Sequence, residues 1–118
     1  SIESRFRPYG PGAARVACAT IGPGPASRAK DWTRDSYLSD VVTARPFSSG
    51  LLVEVRLARG FRHQIRAHMA WLGLPLEGDD LYGDGGNRAA ELRLRAFRLS
   101  FPSPRGSGPV VVELTEPC

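Results

Sequence analysis

Hydrophobic and polar residues alternate most regularly over residues 51–57, in the run L-L-V-E-V-R-L. That period of two is typical of a half-buried β-strand. The preceding segment, Tyr37 to Arg45, is rich in aromatic and β-branched residues, which favour strands. Pro46 to Gly50 lies between the two segments and supplies turn residues. The sequence therefore predicts a β-hairpin over residues 37–57.

The hydrophobic spacing changes to a helical one after Gly60. Apolar positions at i, i+4 and i+7 form a stripe that would face a core; they are Ile65, Met69 and Leu72, widened by Ala70 and Trp71. Gly73 is suited to the residue after a helix end, and Pro75 prevents the helix from resuming. We expect a helix from Arg62 to Leu72, packed on one face of the sheet.

Residues 1–36 lack such clear periodicity. Arg5, Arg7 and Arg15 flank a cluster of Pro and Gly, so we interpret this segment as a basic, mostly irregular arm followed by a loop. Residues 16–21 could form a short strand within it. Trp32 could pack on the core or be available for stacking.

The segment after the helix predicts a loop and two further strands. Gly78 to Asn87 is a glycine-rich acidic loop, and Arg88 to Arg95 is expected to be a short helix or a turn. Phe97 to Phe101 alternates as a strand, Pro104 to Pro109 forms a turn, and Val110 to Leu114 is a closing strand.

These elements predict an α+β fold with a mixed, mainly antiparallel sheet and one main helix on a face. At 118 residues the chain is expected to form one domain. Residues 1–36 would be its arm and loop, and residues 37–118 its sheet and helix. Because the chain begins with Ser1, we expect either a fragment of a longer polypeptide or a processed product.

Charge points to a polyanionic partner, of which nucleic acid is the leading candidate. The net charge is +4 and the pI is near 9.7. Lys30 is the single lysine among 16 basic side chains, and arginine is favoured where carboxylate or phosphate is bound in a bidentate manner. Cys18 and Cys118 form neither a disulfide framework nor a metal-ligand spacing. With no apolar run of membrane-spanning length and no leader pattern, we expect a cytoplasmic protein.

The expected helix begins with an unusual group of cations. Arg59, Arg62, His63 and Arg66 fall at i, i+3, i+4 and i+7, so a helix would place them on one side. Cations at the positive end of a helix dipole are unfavourable by a few tenths of a kcal/mol each. They could form a simple solvated face, or face an anion, either a carboxylate from elsewhere in the fold or a ligand phosphate.

No metal or nucleotide motif accompanies these residues. His63 and His68 are five positions apart and point to different sides of a helix, unlike a zinc-binding pair. The acidic loop lacks the alternating ligands of a calcium site, and no phosphate-loop or dinucleotide glycine pattern is present. We expect neither a metal nor a cofactor.

The run G-F-R-H-Q-I-R-A-H-M-A-W-L-G-L-P-L-E-G-D-D-L-Y-G resembles a signature of RluA-type RNA pseudouridine synthases. That signature reads G-R-T-H-Q-I-R-x-H-L, a spacer, and then G-x-P-(I/L)-x-G-D-x-x-Y-G. Phe61 stands where the family usually has arginine, and Arg62 where it has threonine. The shared positions are Gly60, His63, Gln64, Ile65, Arg66, His68, Gly73, Pro75, Gly78, Asp79, Tyr82 and Gly83.

The resemblance implies an isomerase that detaches uridine from its ribose in tRNA or rRNA, rotates the base and rejoins it through carbon, without cofactor or metal. It implies that Arg66 pairs with a catalytic aspartate. His63 and Gln64 would line the pocket, and Arg59 and Arg62 would contact phosphates. Asp79 and Tyr82 would fix the loop after the helix.

The aspartate of such enzymes lies in an H-R-L-D-x-x-T-S-G motif, and no aspartate of this chain has that context. The resemblance therefore implies the C-terminal half of a catalytic domain, inactive alone and partnered by the missing N-terminal half. One alternative is a non-catalytic RNA-binding module. Another is a structural domain with solvated arginines. The sequence does not specify which RNA or uridine is modified.

Overall fold

The computed structural model describes residues 1–20, 32–83 and 91–114. The predicted α+β fold with mainly antiparallel strands is confirmed. Six strands and one α-helix follow in the order β1 (Ile2–Tyr9), β2 (Arg15–Thr20), β3 (Tyr37–Phe47), β4 (Gly50–Arg56), α1 (Gln64–Trp71), β5 (Arg98–Pro102) and β6 (Pro109–Glu113). A four-stranded sheet has the order β2-β1-β3-β4, and β5 and β6 form a separate two-stranded ribbon. All four strand pairings of the described residues are antiparallel.

The prediction of a mostly irregular N-terminal arm is wrong, because residues 2–20 form the β1–β2 hairpin. Alternation does exist in β1, since Ile2, Ser4 and Phe6 are buried while their neighbours are not. One of these inward residues is a serine, so the sequence shows no continuous apolar pattern. The predicted strand over residues 16–21 corresponds to part of β2.

The β3–β4 hairpin is confirmed with a tight connection at Ser48 and Ser49. The expected one-sided burial of β4 is not observed. Leu51 is 55% exposed, while Leu52 and Val53, which point to opposite faces, are both only half-buried. Little of the described structure therefore covers either face of this hairpin.

Helix α1 ends as predicted and begins two residues later than predicted. Gly73 has a φ of 81°, its N–H bonds to the Ala70 carbonyl, and the Leu74 N–H bonds to the Met69 carbonyl, both at 2.9 Å. This pair of bonds is the Schellman arrangement, which explains the glycine. At the other end the helix begins at Gln64 rather than Arg62.

The buried side of α1 differs from the predicted apolar stripe. Gln64, Ala67, His68 and Met69 are the buried residues, whereas Ile65 is half-buried and Leu72 is 44% exposed. Two polar side chains therefore lie where a purely apolar stripe was expected.

An aromatic cluster fills the space between the sheet and the start of α1. Phe6, Val16 and Ala67 form its buried centre. Phe61 stacks on Phe6 with ring centroids 5.1 Å apart and an interplanar angle of 6°. Because Phe61 is part of this core, the departure from the family signature at this position has a packing role. Trp32 is half-buried, and the Arg7 guanidinium lies 5.4 Å from its ring centroid.

The predicted strands after the acidic loop are confirmed as β5 and β6. The predicted helix or turn over residues 88–95 is not a helix where it is described, since residues 91–97 have no regular secondary structure. Residues 88–90 lie outside the described part. No helix of the described residues is long and apolar enough to cross a membrane.

Candidate active site

The cations before α1 do not share one helical face. Arg59, Arg62 and His63 all precede the first helical residue, and only Arg66 lies within the helix. His63 adopts left-handed backbone angles, with φ 59° and ψ 17°. A left-handed residue redirects the chain, so the predicted i, i+3, i+4, i+7 register fails for the first three positions.

Arg66 is bound at two points by Asp79. Its Nε donates to Oδ2 at 3.0 Å, and its Nη2 donates to Oδ1 at 2.6 Å. The Asp79 side chain is fully buried and that of Arg66 is 13% exposed. Asp80, whose side chain is 73% exposed, accepts a longer bond of 3.3 Å from the same Nη2. Sequence reasoning missed this pair, because the resemblance directed Arg66 toward a catalytic aspartate in another segment.

The same carboxylate organises the loop that follows α1. Asp79 Oδ1 accepts the backbone N–H groups of Leu81 and Tyr82, both at 3.0 Å. Burial alone would raise the pKa of Asp79, but the bonds from Arg66 and from these two N–H groups outweigh it and lower the pKa. The Asp79 hydrogen bond, in turn, raises the pKa of Arg66. The predicted loop-fixing role of Asp79 therefore has a direct geometric basis.

Tyr82 connects this loop to the sheet and to His63. Its hydroxyl accepts the Val16 N–H of β2 at 2.8 Å and lies 3.0 Å from His63 Nδ1. Burial, followed by the charges of Arg66 and Arg62, lowers the pKa of His63. If His63 is neutral, its Nδ1 can accept a hydrogen bond from the Tyr82 O–H. The Val16 N–H, the Tyr82 hydroxyl and His63 Nδ1 then each have a partner.

Gln64 lies in the interior, contrary to its predicted place in a pocket wall. Its Nε2 donates to the Leu38 carbonyl at 3.0 Å and to Ser39 Oγ at 3.1 Å, and its Oε1 accepts the Phe61 N–H at 2.9 Å. With all these bonds made inside the fold and 2% exposure, the side chain of Gln64 holds α1 on the sheet.

His68 is the second polar residue that anchors α1 to the sheet. It is fully buried, with Nε2 2.6 Å from Ser4 Oγ and Nδ1 2.7 Å from Ser39 Oγ. Burial lowers its pKa, which favours the neutral ring. The H-Q-I-R-x-H spacing thus places two buried polar anchors on one side of the helix and Arg66 on another.

The two remaining predicted cations contact different parts of the sheet. Arg59 donates to the Ser36 carbonyl at 3.0 Å and lies 4.8 Å from the ring centroid of Tyr37, near the start of β3. Arg62 donates to the Ala13 carbonyl in the turn between β1 and β2. The structure therefore joins Arg62, His63 and Arg66 to one group around Tyr82 and Asp79. Arg59 lies outside this group and contacts the start of β3.

Arg66 can donate further hydrogen bonds to an anion. Asp79 and Asp80 accept bonds from Nε and Nη2 of Arg66, and no described residue accepts a bond from its Nη1. A guanidinium carries two N–H groups on that nitrogen, so a further carboxylate or phosphate oxygen can be bound there. The described residues contain no cluster of three or more His, Cys, Asp or Glu side chains that could hold a metal ion.

Comparison with curated proteins identifies several RNA pseudouridine synthases. The ribosomal large subunit pseudouridine synthase D of Xanthomonas campestris is 41% identical over 112 residues, covering 80% of this chain and 34% of the relative. The uncharacterized RNA pseudouridine synthase YhcT of Bacillus subtilis is 41% identical over 66 residues, covering 56% of this chain and 22% of the relative. The tRNA pseudouridine synthase C of Vibrio cholerae is 39% identical over 69 residues, covering 52% of this chain and 28% of the relative.

The chain thus spans 22% to 34% of the length of these three relatives. No family model and no solved structure matches it. Several separate pseudouridine synthases are thus similar to this chain, which agrees with the family that the sequence resembles. On this basis the chain is similar to RNA pseudouridine synthases over part of their length.

Proposed function

We propose that this chain is part of an enzyme that isomerises uridine to pseudouridine in structured RNA, and that it supplies the active-site arginine and part of the RNA-binding surface. The observation that supports the proposal is the set of hydrogen bonds that the Arg66 guanidinium makes. Its guanidinium is fixed by the buried Asp79 on one edge, while Nη1 has no partner among the described residues.

Such an arginine is suited to hold a catalytic carboxylate. The proposed partner is the aspartate of the N-terminal half of the domain, which acts on the nucleoside as nucleophile or base. Bidentate binding to Asp79 removes the freedom of Arg66 to turn, so a second carboxylate would meet a fixed donor. A cation beside that carboxylate lowers its pKa and keeps it ionised.

RNA contacts are proposed for the cations around this group. Arg62 is exposed, and His63 is half-buried beside it. Arg59 is also exposed and is proposed as a phosphate contact near the start of β3. Gln64 is not included, because its interior hydrogen bonds place it away from solvent.

Apolar surface on the β3–β4 hairpin supports the proposed N-terminal partner half. Phe47 is 52% exposed, and Leu38, Val42 and Leu51 are exposed as well. Large exposed apolar side chains such as these favour contact with further polypeptide. The relatives are longer than this chain, which is consistent with a partner half outside it.

The proposal is tested by tritium release from RNA that carries [5-³H]uridine. The assay compares this chain alone, a longer product of the same gene, and the longer product with Arg66→Ala, Arg66→Lys or the control Arg98→Ala. We expect release only from the longer form, with loss in both Arg66 variants and no change in the Arg98 variant. Full activity of Arg66→Ala would contradict the role of Arg66.

One observation favours a second function, that of a non-catalytic RNA-binding module. The charge of Arg66 is already neutralised by Asp79, so the arginine has a structural role without any catalytic carboxylate. A module of this kind would bind RNA through Arg62 and Arg59 while the longer product released no tritium from any rRNA or tRNA tested.

A further inference from the structure

We propose that the face of the β1–β2 hairpin turned away from α1 is a second RNA contact surface, separate from the group around Arg66. This hairpin face carries Arg5, Arg7, Tyr9, Arg15 and Ala17, with Glu3 at its far end. The proposal rests on the proposed function, since it names RNA as the ligand. It adds a surface that neither the comparisons nor the signature residues identify.

The register of the hairpin places these residues together. Arg7 lies opposite Ala17 and Tyr9 lies opposite Arg15, so all four side chains share one face of the sheet. The intervening residue Phe6 points to the other face, where it is buried against α1. The alternation that builds the core therefore also collects three arginines on the outside.

The three arginines are not paired with carboxylates among the described residues. The structure contains ion pairs for Arg59 and Arg66 but none for Arg5, Arg7 or Arg15. Glu3, at the far end of β1, accepts a bond from Ser36 Oγ at 2.5 Å. Like charges on neighbouring positions repel each other in the unbound protein. A bound polyanion would attract all three arginines and offset this repulsion.

Arg7 is held in a defined orientation. Its guanidinium lies 5.4 Å from the centroid of Trp32, a distance at which the ring attracts the cation. Its Nε is buried without a hydrogen-bond partner among the described residues. An arginine held over an aromatic ring loses little further freedom when its outer N–H groups bind a phosphate.

Tyr9 gives the surface an element that suits nucleic acid better than an acidic protein. It is the last residue of β1, is 39% exposed and lies opposite Arg15 across the hairpin. An exposed aromatic ring among arginines can stack on a base while the arginines bind the backbone. The surface therefore fits single-stranded RNA.

The hairpin is also tied to the candidate active site. Arg62 donates to the Ala13 carbonyl in the hairpin turn, and Tyr82 accepts the Val16 N–H of β2. These contacts fix the hairpin face relative to His63 and Arg66. A strand of RNA leaving the group around Arg66 can thus pass over the hairpin turn onto Arg15 and Arg7.

The test measures binding of a uridine-containing single-stranded RNA to the longer gene product as salt is raised. The test variant is Arg5→Ala/Arg15→Ala, and the charge-matched control is Arg98→Ala/Arg105→Ala in the β5–β6 ribbon. Each lost phosphate contact lowers the slope of log K against log salt by about 0.7 for single strands. We expect a fall of about 1.4 for the test variant and no fall for the control, with kcat for tritium release unchanged and KM raised.

Tyr9→Leu separates stacking from charge. It should weaken RNA binding several-fold with no change in the salt slope, because no phosphate contact is lost. An unchanged slope in Arg5→Ala/Arg15→Ala, or an equal fall in the control, would overturn the hairpin face while leaving the proposed function intact. Equal competition by polyglutamate at matched charge would assign the surface to acidic ligands in general. Absence of RNA binding by the unsubstituted protein would overturn both proposals.

Discussion

Asp79 holds Arg66 from a position 13 residues further along the chain, with both carboxylate oxygens engaged and the carboxylate fully buried. The pair fixes the loop after α1 to the first turns of the helix. It also supplies the carboxylate that a cation near a helix N-terminus was expected to require. Of the two anions anticipated for these cations, the carboxylate from within the fold is the one observed at Arg66.

Asp79→Asn should lower the free energy of unfolding by about 3 kcal/mol, because removing one partner of a buried pair leaves the other charge uncompensated. The amide oxygen can still accept the loop N–H groups, so the loss comes from the charge and from the bond that Arg66 Nε donates to Oδ2. Urea denaturation measures the change. Asp80 also pairs with Arg66, but its side chain is exposed. Asp80→Asn should therefore change the free energy of unfolding by less than about 0.5 kcal/mol. Equal effects of the two variants would contradict the conclusion that the buried Asp79 stabilises the fold more than the exposed Asp80.

The same pair predicts an acid limb of stability. The pKa of Asp79 is lowered in the folded state, so its contribution is present above the unfolded pKa of about 4 and is lost as pH falls through the folded value. Denaturation midpoints measured from pH 5 downward should fall less steeply in Asp79→Asn than in the parent. Parallel curves would show that other groups cause the acid limb.

His68 predicts a second dependence at higher pH. Its pKa is lowered by burial, so the folded state favours the neutral ring and the unfolded state binds the proton more readily. Stability should therefore be complete above the unfolded pKa of about 6.5 and decline as pH falls toward the folded value. In His68→Gln the slope between pH 7 and 5 should be smaller. The pKa of His63 is lowered too, so His63→Gln measures the separate contribution of that histidine to the slope. An unchanged slope in His68→Gln would contradict the assignment to His68.

Much of the fold was predictable because it depends on local patterns. The β3–β4 hairpin, β5, β6 and the end of α1 at Gly73 follow from alternation, turn residues and the glycine stop. The β1–β2 hairpin was missed, since its inward face includes Ser4, whose hydroxyl is bound by a histidine 64 positions away. A buried serine cannot be recognised before its partner is known.

The sequence names four residues that the structure brings together, but it does not predict the contacts between them. Arg66, His63, Asp79 and Tyr82 were selected from the signature, yet the pairing of Arg66 with Asp79 depends on how the chain returns after Gly73. The left-handed angles of His63 shift the helix start and remove the expected common face. Periodicity assumes a continuous helix, so it cannot anticipate that interruption.

Gly83→Ala should destabilise the loop after α1. A Cβ atom at this position would overlap the backbone carbonyl oxygen of Asp79, which also accepts the Gly83 N–H at 3.1 Å. Because backbone atoms must shift, we expect a loss of about 1–3 kcal/mol, measured by thermal or urea denaturation. Gly50→Ala is the control, since nothing lies within 4 Å of its added Cβ. A loss no larger than that of the control would show that the loop can relax.

Tyr82→Phe tests the link between β2, the loop and His63. Without the hydroxyl, the Val16 N–H loses its partner, which should cost about 1–3 kcal/mol of unfolding free energy. His63 also loses the donor to its Nδ1, and with it a bond that favours the neutral ring, so its pKa should rise toward the ordinary value.

Two measurements follow these separate effects, urea denaturation for stability and an NMR titration of the imidazole signals for the pKa of His63. Tyr9→Phe removes a hydroxyl from the neighbouring hairpin face and should alter neither quantity. If stability falls while the His63 titration is unchanged, Tyr82 serves the sheet edge alone. If both change together, the tyrosine sets the protonation state of a histidine that lies beside the arginine proposed to hold the catalytic aspartate.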